Sequence, residues 1–470
     1  MAKTDRIPAR TLKGFRDYPP ELMLPRERII ETARRVYRSF GYAPIDTPAL
    51  EYVEVLTGKG SEETDKQLYQ FEDQGGRRVG MRFDLTVPLA RFAAQNAQGL
   101  GLPFKRYHIG SVWRGEKPQV GRYREFVQAD FDTVGATGVA SDIETVAVLH
   151  ELLQATGFQR FAIRVNHRGV LDGVLELAGL ADRSTEVLRA LDKLAKVGPG
   201  NVAKELAATA DASDQQVASV LALTETKGDG APTANDKVLS RLEKLVSGSD
   251  AGAAGVARLQ ETLAGLEATG VVTGVVTGGL LTGGDAAVVL DPAIARGLDY
   301  YTGIVMETFL TDRPSIGSVA SGGRYDSLAN LYTAQAMPGI GASLGVDRLL
   351  AAMEELGMIG GEHTPAAVMV AFFAADRLPD YLALAAAVRA AGVAVELYPE
   401  PKKLGKQLQH ASKRGFRIAL IAGEDELAEG VCQIKTLADG QTITTPMAEA
   451  PARVVGLLNG GGPPDNDGRS

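Results

Sequence analysis

Between Arg106 and Gly135 apolar and polar residues alternate, and the alternation is interrupted at Gly115, Pro118 and Gly121. A period of two belongs to a pleated strand, whose successive side chains leave on opposite faces, while glycine and proline punctuate turns. The segment therefore predicts two strands joined by a loop. Any chemistry in this stretch is carried by strands rather than by helices.

At 470 residues the chain is longer than one hydrophobic core usually organises, so two or three domains are expected. Hydrophobic residues make up 45% and charged residues 23%, the balance of an ordinary soluble globular protein. The single cysteine, Cys432, excludes an internal disulfide framework and a cysteine metal cluster, and reads as an inert buried thiol. Met-Ala-Lys-Thr-Asp-Arg at the N-terminus carries charge with no apolar run behind it, and no window is apolar for long enough to span a bilayer. A cytoplasmic location is expected. The net charge of -8 argues against phosphate binding by the chain as a whole, so local clusters of lysine and arginine matter more.

After Pro25, which a first helical turn tolerates, Ile29, Ile30, Ala33, Val36, Tyr37 and Phe40 recur at helical spacing until Gly41. Pro44 and Pro48 mark Tyr42 to Leu50 as an extended edge. From about Leu171 to Thr269 the composition shifts to alanine, leucine, lysine and glutamate, with helical period in Thr185 to Leu194 and Lys237 to Leu245. A helical insertion is predicted, with joints at Gly198 to Gly200 and Gly228 to Pro232. Beyond His363, Val368 to Phe373, Val393 to Tyr398 and Ile418 to Ile421 read as strands and Leu382 to Ala391 as a helix. That alternation predicts a small α/β domain on a mainly parallel sheet. Gly460 to Ser470, with three consecutive glycines and two prolines, reads as a disordered tail.

Three segments fit no simple core pattern. Arg114 to Gln128 reads Arg-Gly-Glu-Lys-Pro-Gln-Val-Gly-Arg-Tyr-Arg-Glu-Phe-Val-Gln, Ala293 to Gly303 reads Ala-Ile-Ala-Arg-Gly-Leu-Asp-Tyr-Tyr-Thr-Gly, and Gly339 to Arg348 reads Gly-Ile-Gly-Ala-Ser-Leu-Gly-Val-Asp-Arg. Together they resemble the ATP-binding and amino-acid-binding motifs of the histidyl-tRNA synthetases, a class II aminoacyl-tRNA synthetase family, and the resemblance runs from about Lys13 to about Pro446. It implies an α+β fold: an antiparallel β-sheet catalytic domain with a helical insertion, then a C-terminal α/β anticodon-binding domain. On this chain the implied parts are 1–170 and 271–358 for the catalytic domain, 171–270 for the insertion, 365–456 for the anticodon-binding domain and 460–470 for the tail. The implied activity is ATP-dependent activation of L-histidine to histidyl-adenylate and its transfer to the 3′ end of tRNA(His), by a homodimer assisted by Mg²⁺.

Activating a carboxylate with ATP brings two anions together, so the site must hold fixed positive charge at the α-phosphate. Arginine suits this, because it stays charged and its planar fork donates two hydrogen bonds. Arg114 and Arg296 are the candidates for the reacting centre. The resemblance implies that Glu116 accepts from the adenine amino group, that Phe126 stacks on the ring, and that Arg122 and Arg348 grip the γ-phosphate. Gly339, Gly341 and Gly345 would let a strand turn into a helix beneath the nucleotide, although the segment lacks the ending of a P-loop.

Selectivity for histidine needs groups that read both ring nitrogens and an anchor for the α-ammonium. Asp84, Thr86 and Gln128 match the family's ammonium site, and Asp132 and Tyr301 its imidazole-reading pair, with Tyr300, Tyr325 and Arg296 beside them. Phe83-Asp84-Leu85 departs from the Pro-Glu-Gly of many bacterial members and resembles eukaryote-like ones.

Two basic windows point to RNA. Lys105 to Arg124 holds six cations against Glu116, several of them expected on a loop, where Gln119 also sits. Lys402 to Arg417 holds six more and no acid; Lys402, Lys403 and Lys406 are its candidate tRNA contacts. His108 and His410 read as structural or surface residues without metal-ligand partners. The rival from another class is a non-catalytic, histidine-sensing paralogue of the kind that regulates ATP phosphoribosyltransferase. Such paralogues lose the anticodon domain and erode the Arg-Gly-Leu-Asp segment, both of which are present here.

Overall fold

The computed structural model describes residues 7–57, 66–225, 233–271, 275–277, 280–281, 286–295, 300–360 and 363–460. Gly228 to Pro232, Arg296 and nearly all of the 460–470 tail lie outside them. Residues 1–17 and 28–356 form one compact unit, and residues 18–27 with 357–470 form another.

The alternating stretch builds the centre of the first unit. Its eight-stranded sheet consists of β1 (Ala43–Pro44), β2 (Phe104–Trp113), β3 (Glu125–Val134), β4 (Phe161–His167), β5 (Ala286–Leu290), β6 (Ile304–Leu310), β7 (Ser318–Arg324) and β8 (Gly339–Gly345). Across the sheet the order is β1-β2-β3-β8-β7-β6-β4-β5. The interior pairs are antiparallel, and only the edge pairs β1·β2 and β4·β5 are parallel. An antiparallel-rich sheet with helices makes the α+β class an observation.

Register decides what shares a face. Arg106 lies opposite Asp132, His108 opposite Asp130 and Gly110 opposite Gln128, while Ser343 and Gly341 oppose Asp130 and Asp132 from β8. Directly opposed residues point to one side, so Phe126, Gln128, Asp130 and Asp132 line a single face. The other face of β3 carries the buried Val127, Ala129 and Phe131. Helix α1 (Pro20–Ser39) covers that face through Tyr37, whose ring lies 5.0 Å from that of Phe131 and whose hydroxyl donates to the Ala129 carbonyl at 2.8 Å.

Pro25 lies inside α1 and not in its first turn, because Pro20 already opens the helix, its Pro19 carbonyl accepting from Leu22 and Met23. Helices α2 (Thr86–Leu100), α3 (Val139–Ala155) and α4 (Arg168–Leu177) follow in this unit. Further helices at Ser184–Asp192, Leu194–Val197, Pro199–Thr209, Asp214–Glu225 and Asn235–Leu245 lead to the long α5 (Asp250–Ala268). Here α4 and α5 approach so closely that a Cβ on Gly173 would stand 2.7 Å from the Gly252 backbone. The last helix of this unit, α6 (Val346–Glu355), leaves directly from β8.

The second unit holds a five-stranded sheet of β9 (Val368–Val370), β10 (Val395–Leu397), β11 (Ile418–Ile421), β12 (Val431–Thr436) and β13 (Thr442–Pro446), in the order β10-β9-β11-β12-β13. The mainly parallel sheet expected from the sequence is in fact half antiparallel: β9 runs parallel to β10 and β11, whereas β11·β12 and β12·β13 are antiparallel. The reason is local. Only five residues separate β12 from β13, too few for the crossover a parallel pair needs. Helices α7 (Leu378–Ala390) and α9 (Ala450–Leu458) bury Tyr381, Leu384, Val388 and Val454 with Val368, Ile418 and Cys432 in one core, and α8 (Leu404–Arg414) closes the other face through Ala411. Each such large apolar side chain contributes about 2 kcal/mol on burial. Burial raises the Cys432 thiol to about 11, as an inert thiol requires.

Candidate active site

Arg114, Glu116, Arg122, Phe126, Gln128 and Arg348 line one polar cavity with Ser318, Ser321, Ser343 and Asp347. Their placement follows from the strand–loop–strand stretch. Arg114 follows β2 directly, its Nε donating to the Phe83 carbonyl at 2.9 Å and its guanidinium lying 5.2 Å from the Phe126 ring centre. The far tip is a tight turn in which Gln119 and Arg122 exchange backbone hydrogen bonds at 2.9 and 3.0 Å. Gly121 takes φ +67° there, a region that glycine enters without strain, and Val120 beside it is 70% exposed. Behind the loop, the Arg124 N–H donates to the Gly14 carbonyl at 2.8 Å.

From the opposite wall, the buried Asp347 accepts from the Val127 N–H at 2.7 Å. This fastens the first turn of α6 to β3, and Arg348, whose Nη1 donates to the Ser318 carbonyl, lines the cavity together with Arg122. Arg122 and Glu116 are 3.5 Å apart, so Glu116 is partly engaged by a cation that the resemblance assigns to the γ-phosphate.

Further along the same face of β3 the character changes from cationic to acidic. Asp84, Asp130 and Asp132 are all buried, and burial raises the carboxyl pKa of each. Asp130 reaches about 7: burial is the main cause, Asp132 and Asp84 add to it, and Arg106 and a hydrogen bond from Ser343 oppose it. Asp84 heads α2, accepting from the Val87 N–H at 3.0 Å and from that of the half-buried Thr86. Tyr300, Tyr301 and Tyr325 form an aromatic wall, with ring centres 4.6 Å apart for the first two and 6.3 Å between Tyr300 and Tyr325. Burial, first of all, holds all three phenols well above their usual range, so they remain neutral donors.

Asp132 takes the hydroxyl of Tyr325 and lies 2.6 Å from Arg106. Gly339 and Gly341 allow close packing on these residues: a Cβ on Gly339 would stand 2.3 Å from the Tyr325 ring, and one on Gly341 2.1 Å from Asp132 Oδ1. Gly345 meets nothing closer than 3.5 Å. Arg106 is not a loop cation but a fully buried one on β2, and Lys105 beside it is paired with Glu144 at 2.7 Å. Of the first basic window, Arg114, Lys117, Arg122 and Arg124 lie between the two strands.

On the second unit, the basic run is α8 with its flanks. Acids just outside the window engage it: Glu400, two residues before Lys402, lies 2.8 Å from it, and Glu396 of β10 lies 3.8 Å from both Arg414 and His410. Lys403, Lys406 and Lys413 stay exposed. His108 is buried, bonded to Asp46 at 2.9 Å and, chiefly by burial, lowered to about 4. Among the described residues no cluster of three His, Cys, Asp or Glu forms a metal site, and no helix is long and apolar enough to cross a membrane.

Sequence reasoning passed over Arg106, Asp130, Ser343 and Asp347. A signal existed for one of them: in Gln128-Ala-Asp130-Phe-Asp132 the polar residues alternate with apolar ones, which puts Asp130 on the face of the two flanking candidates.

Comparison with known proteins agrees with this geometry. Residues 14–349 match the histidyl-tRNA synthetase family model, and residues 367–457 match an anticodon binding domain. A histidine–tRNA ligase of Rhodopirellula baltica is 56% identical over 92% of this chain and 94% of its own length. One from Wolinella succinogenes is 41% identical over 97% of this chain and 100% of its own. The crystal structure of histidyl-tRNA synthetase from Nostoc sp. PCC 7120 superposes with a TM-score of 0.82 at 32% identity, over 96% of this chain and 100% of that one. Sequence, fold and the segments that line the cavity lead to one assignment: this chain belongs to the histidyl-tRNA synthetase family.

Proposed function

We propose that this chain is a histidine–tRNA ligase, which activates L-histidine with ATP and passes the histidyl group to tRNA(His). The observation that carries this reading is the change of charge along one face of β3. Phe126 and Gln128 border a cavity walled by Arg114, Arg122 and Arg348, while the buried Asp130 and Asp132 continue the same face toward Tyr325 and the Tyr300 and Tyr301 packed with it. Six residues of strand span about 20 Å, enough to hold an adenylate with its base at the Phe126 end and its amino acid at the Asp132 end.

In this reading the histidine carboxylate attacks the α-phosphorus, a new O–P bond forms and pyrophosphate leaves with the electrons of the broken P–O bond. Arg114 sits where it would hold the α-phosphate, with Arg296 as its proposed counterpart from the Ala293 to Gly303 segment. A hydroxyl of the terminal tRNA ribose then attacks the histidyl carbonyl, and AMP departs. Arg122 and Arg348 would bind the outer phosphates, Glu116 the adenine amino group, and Gln119 at the exposed loop tip the acceptor end of the tRNA. Lys403 and Lys406 of the second unit, with Lys402 shared with Glu400, would meet the anticodon arm.

Mg²⁺ fits as an ion that enters on the phosphates of ATP. It keeps most of its waters and needs only one or two protein carboxylates. Glu116 and Asp347 are the carboxylates of the cavity lining, and Asp347 is bonded to the Val127 N–H. The ion would neutralise phosphate charge. A homodimer is supported by Leu50, Tyr52 and Phe71, large apolar side chains left between 45% and 50% exposed on the small sheet of Leu50–Tyr52, Gln70–Glu72 and Arg78–Met81. The cytoplasm, where ATP and tRNA meet, is the proposed location. Charging of purified tRNA(His) with labelled histidine tests the whole reading; charging of a different tRNA, or none, would reject it.

A further inference from the structure

Asn166, on β4, is 1% exposed and directs its side-chain amide at a single turn: Nδ2 donates to the Pro292 carbonyl and to the Ile294 carbonyl, each at 3.0 Å. Carbonyl oxygens only accept, so the nitrogen end of the amide is the one that can face both. The turn is also held from within. The Ile294 N–H donates to the Asp291 carbonyl at 3.0 Å, and the buried Asp291 carboxylate accepts from the Ala293 N–H at 3.2 Å and lies 3.0 Å from Arg164 of β4.

This turn opens the segment 293–303, which carries Arg296, Tyr300 and Tyr301 in sequence. The far end of the segment returns to the same place: the Arg168 N–H donates to the Gly303 carbonyl at 2.8 Å, and Ile304 pairs with His167. Both ends are thus tied to residues 166–168, the first by a side chain and the second by backbone. Register relates that anchorage to the acids of β3. Asn166 opposes Val305, Val305 opposes Gly323, Gly323 opposes Gly341 and Gly341 opposes Asp132, so Asn166 and Asp132 face one side of the sheet. Gly323 leaves room on that row for the segment, since a Cβ there would stand 2.9 Å from the Tyr301 ring.

We propose that Asn166 is a positioning residue for histidine activation: by holding the Pro292 and Ile294 carbonyls it fixes where segment 293–303 enters the ligand-binding face, and with it Arg296 and Tyr301. This rests on the reading of the site as a histidine-activating centre and adds to it a residue that touches neither substrate. The backbone anchor at Gly303 survives any substitution of Asn166, whereas the anchor at Pro292 and Ile294 is lost with the amide. The residues that line the nucleotide cavity come from other segments, so releasing the turn acts on the amino-acid side of the reaction. A displacement of about 1 Å in groups that orient a reactant can cost about 100-fold in rate.

The test combines amide hydrogen exchange with pyrophosphate-exchange kinetics on the full-length protein. Asn166→Asp keeps the shape and puts an oxygen that repels both carbonyls where the N–H donors stood. It should speed hydrogen exchange in peptides that span 293–303 while leaving those of β3 unchanged. It should also slow histidine activation about 10- to 100-fold and raise the histidine KM, with the ATP KM held within about twofold. Asn166→Ser, which retains one hydroxyl donor, should show the same changes by smaller factors, and it decides the matter if Asn166→Asp does not fold. Wild-type hydrogen exchange across 293–303 in the folded variants, or histidine and ATP requirements that rise together, would overturn the positioning role while leaving the synthetase reading intact. Absence of histidine-dependent pyrophosphate exchange in the wild type would overturn both.

Discussion

The Arg106 guanidinium and the Asp132 carboxylate lie 2.6 Å apart with side chains 0% and 3% exposed. Register explains the meeting: the two residues are opposed on β2 and β3 and share a face. The pair is the electrostatic centre of a buried acidic cluster, since Arg106 also counters Asp84 and Asp130. Arg106→Met removes the cation and leaves buried carboxylates uncompensated. A loss of about 3 to 5 kcal/mol is expected, because breaking a buried pair costs far more than replacing it whole. Urea unfolding measures it; a loss below about 1 kcal/mol would show the acids to be compensated by something other than Arg106.

A second prediction concerns Asp130 and pH. Its folded pKa is raised to about 7 from an ordinary value of 3.8, so the folded state holds a proton that the unfolded state has released between those limits. The associated stability is present below about pH 4 and lost as pH rises through 7. Asn keeps the shape without the charge. In the absence of histidine, Asp130→Asn should thus be the more stable protein at pH 8, by a few kcal/mol, with the advantage shrinking toward pH 4. Stability curves across that range that ran parallel would contradict it.

A third prediction concerns the attachment of the long helix α5. Asp142 of α3 accepts from Arg258 of α5 at 2.5 Å and from Arg324 of β7 at 2.6 Å. Arg324 immediately precedes Tyr325, whose hydroxyl holds Asp132. Asp142→Ala leaves two cations facing each other and should lower stability by about 3 to 5 kcal/mol. The histidine requirement should also rise more than the ATP requirement, as steady-state exchange kinetics would reveal; a rise confined to ATP would separate this network from the pocket.

A fourth concerns α8. Lys403, Lys406 and Lys413 are exposed, whereas Lys402 and Arg414 have acid partners. Replacing the three exposed lysines with alanine should weaken tRNA binding and flatten its dependence on log salt by about 0.7 to 0.9 for each phosphate no longer neutralised, without slowing adenylate formation. Filter binding between low and moderate salt reads this; an unaltered slope would remove α8 from the RNA interface.

Much of this architecture is legible in the sequence, and for physical reasons. Local pattern identifies the β2 and β3 strands, the helical stretch between Leu171 and Thr269 and the Ile418–Ile421 strand, because period and punctuation are properties of neighbours in the chain. The cavity residues Arg114, Glu116, Arg122, Phe126 and Arg348 follow from motif resemblance and line one cavity. What escapes depends on register or on distant partners. Arg106 looks like one of six basic residues until β2 pairs with β3, and Glu396 meets Arg414 and His410 only once the chain has folded back from β10 through α8. The glycines of β8 read in sequence as permitting close packing where a strand turns into a helix, but the partners of Gly339 and Gly341, Tyr325 and Asp132, are visible only once the strands pair. Pro25 is misplaced by sequence pattern because two prolines compete for the start of α1 and only the first opens it.

The central claim is that a cationic cavity and an acidic pocket on one strand face join ATP to histidine, and exchange of labelled pyrophosphate into ATP measures it most directly. With L-histidine the wild-type protein should exchange rapidly, with phenylalanine or glutamine not detectably, and Arg114→Ala should slow the reaction about 10² to 10³-fold, the cost of one preorganised donor. Absence of histidine-dependent exchange in a folded protein that still binds ATP, or exchange that another amino acid supports equally well, would contradict histidyl-adenylate formation at this site.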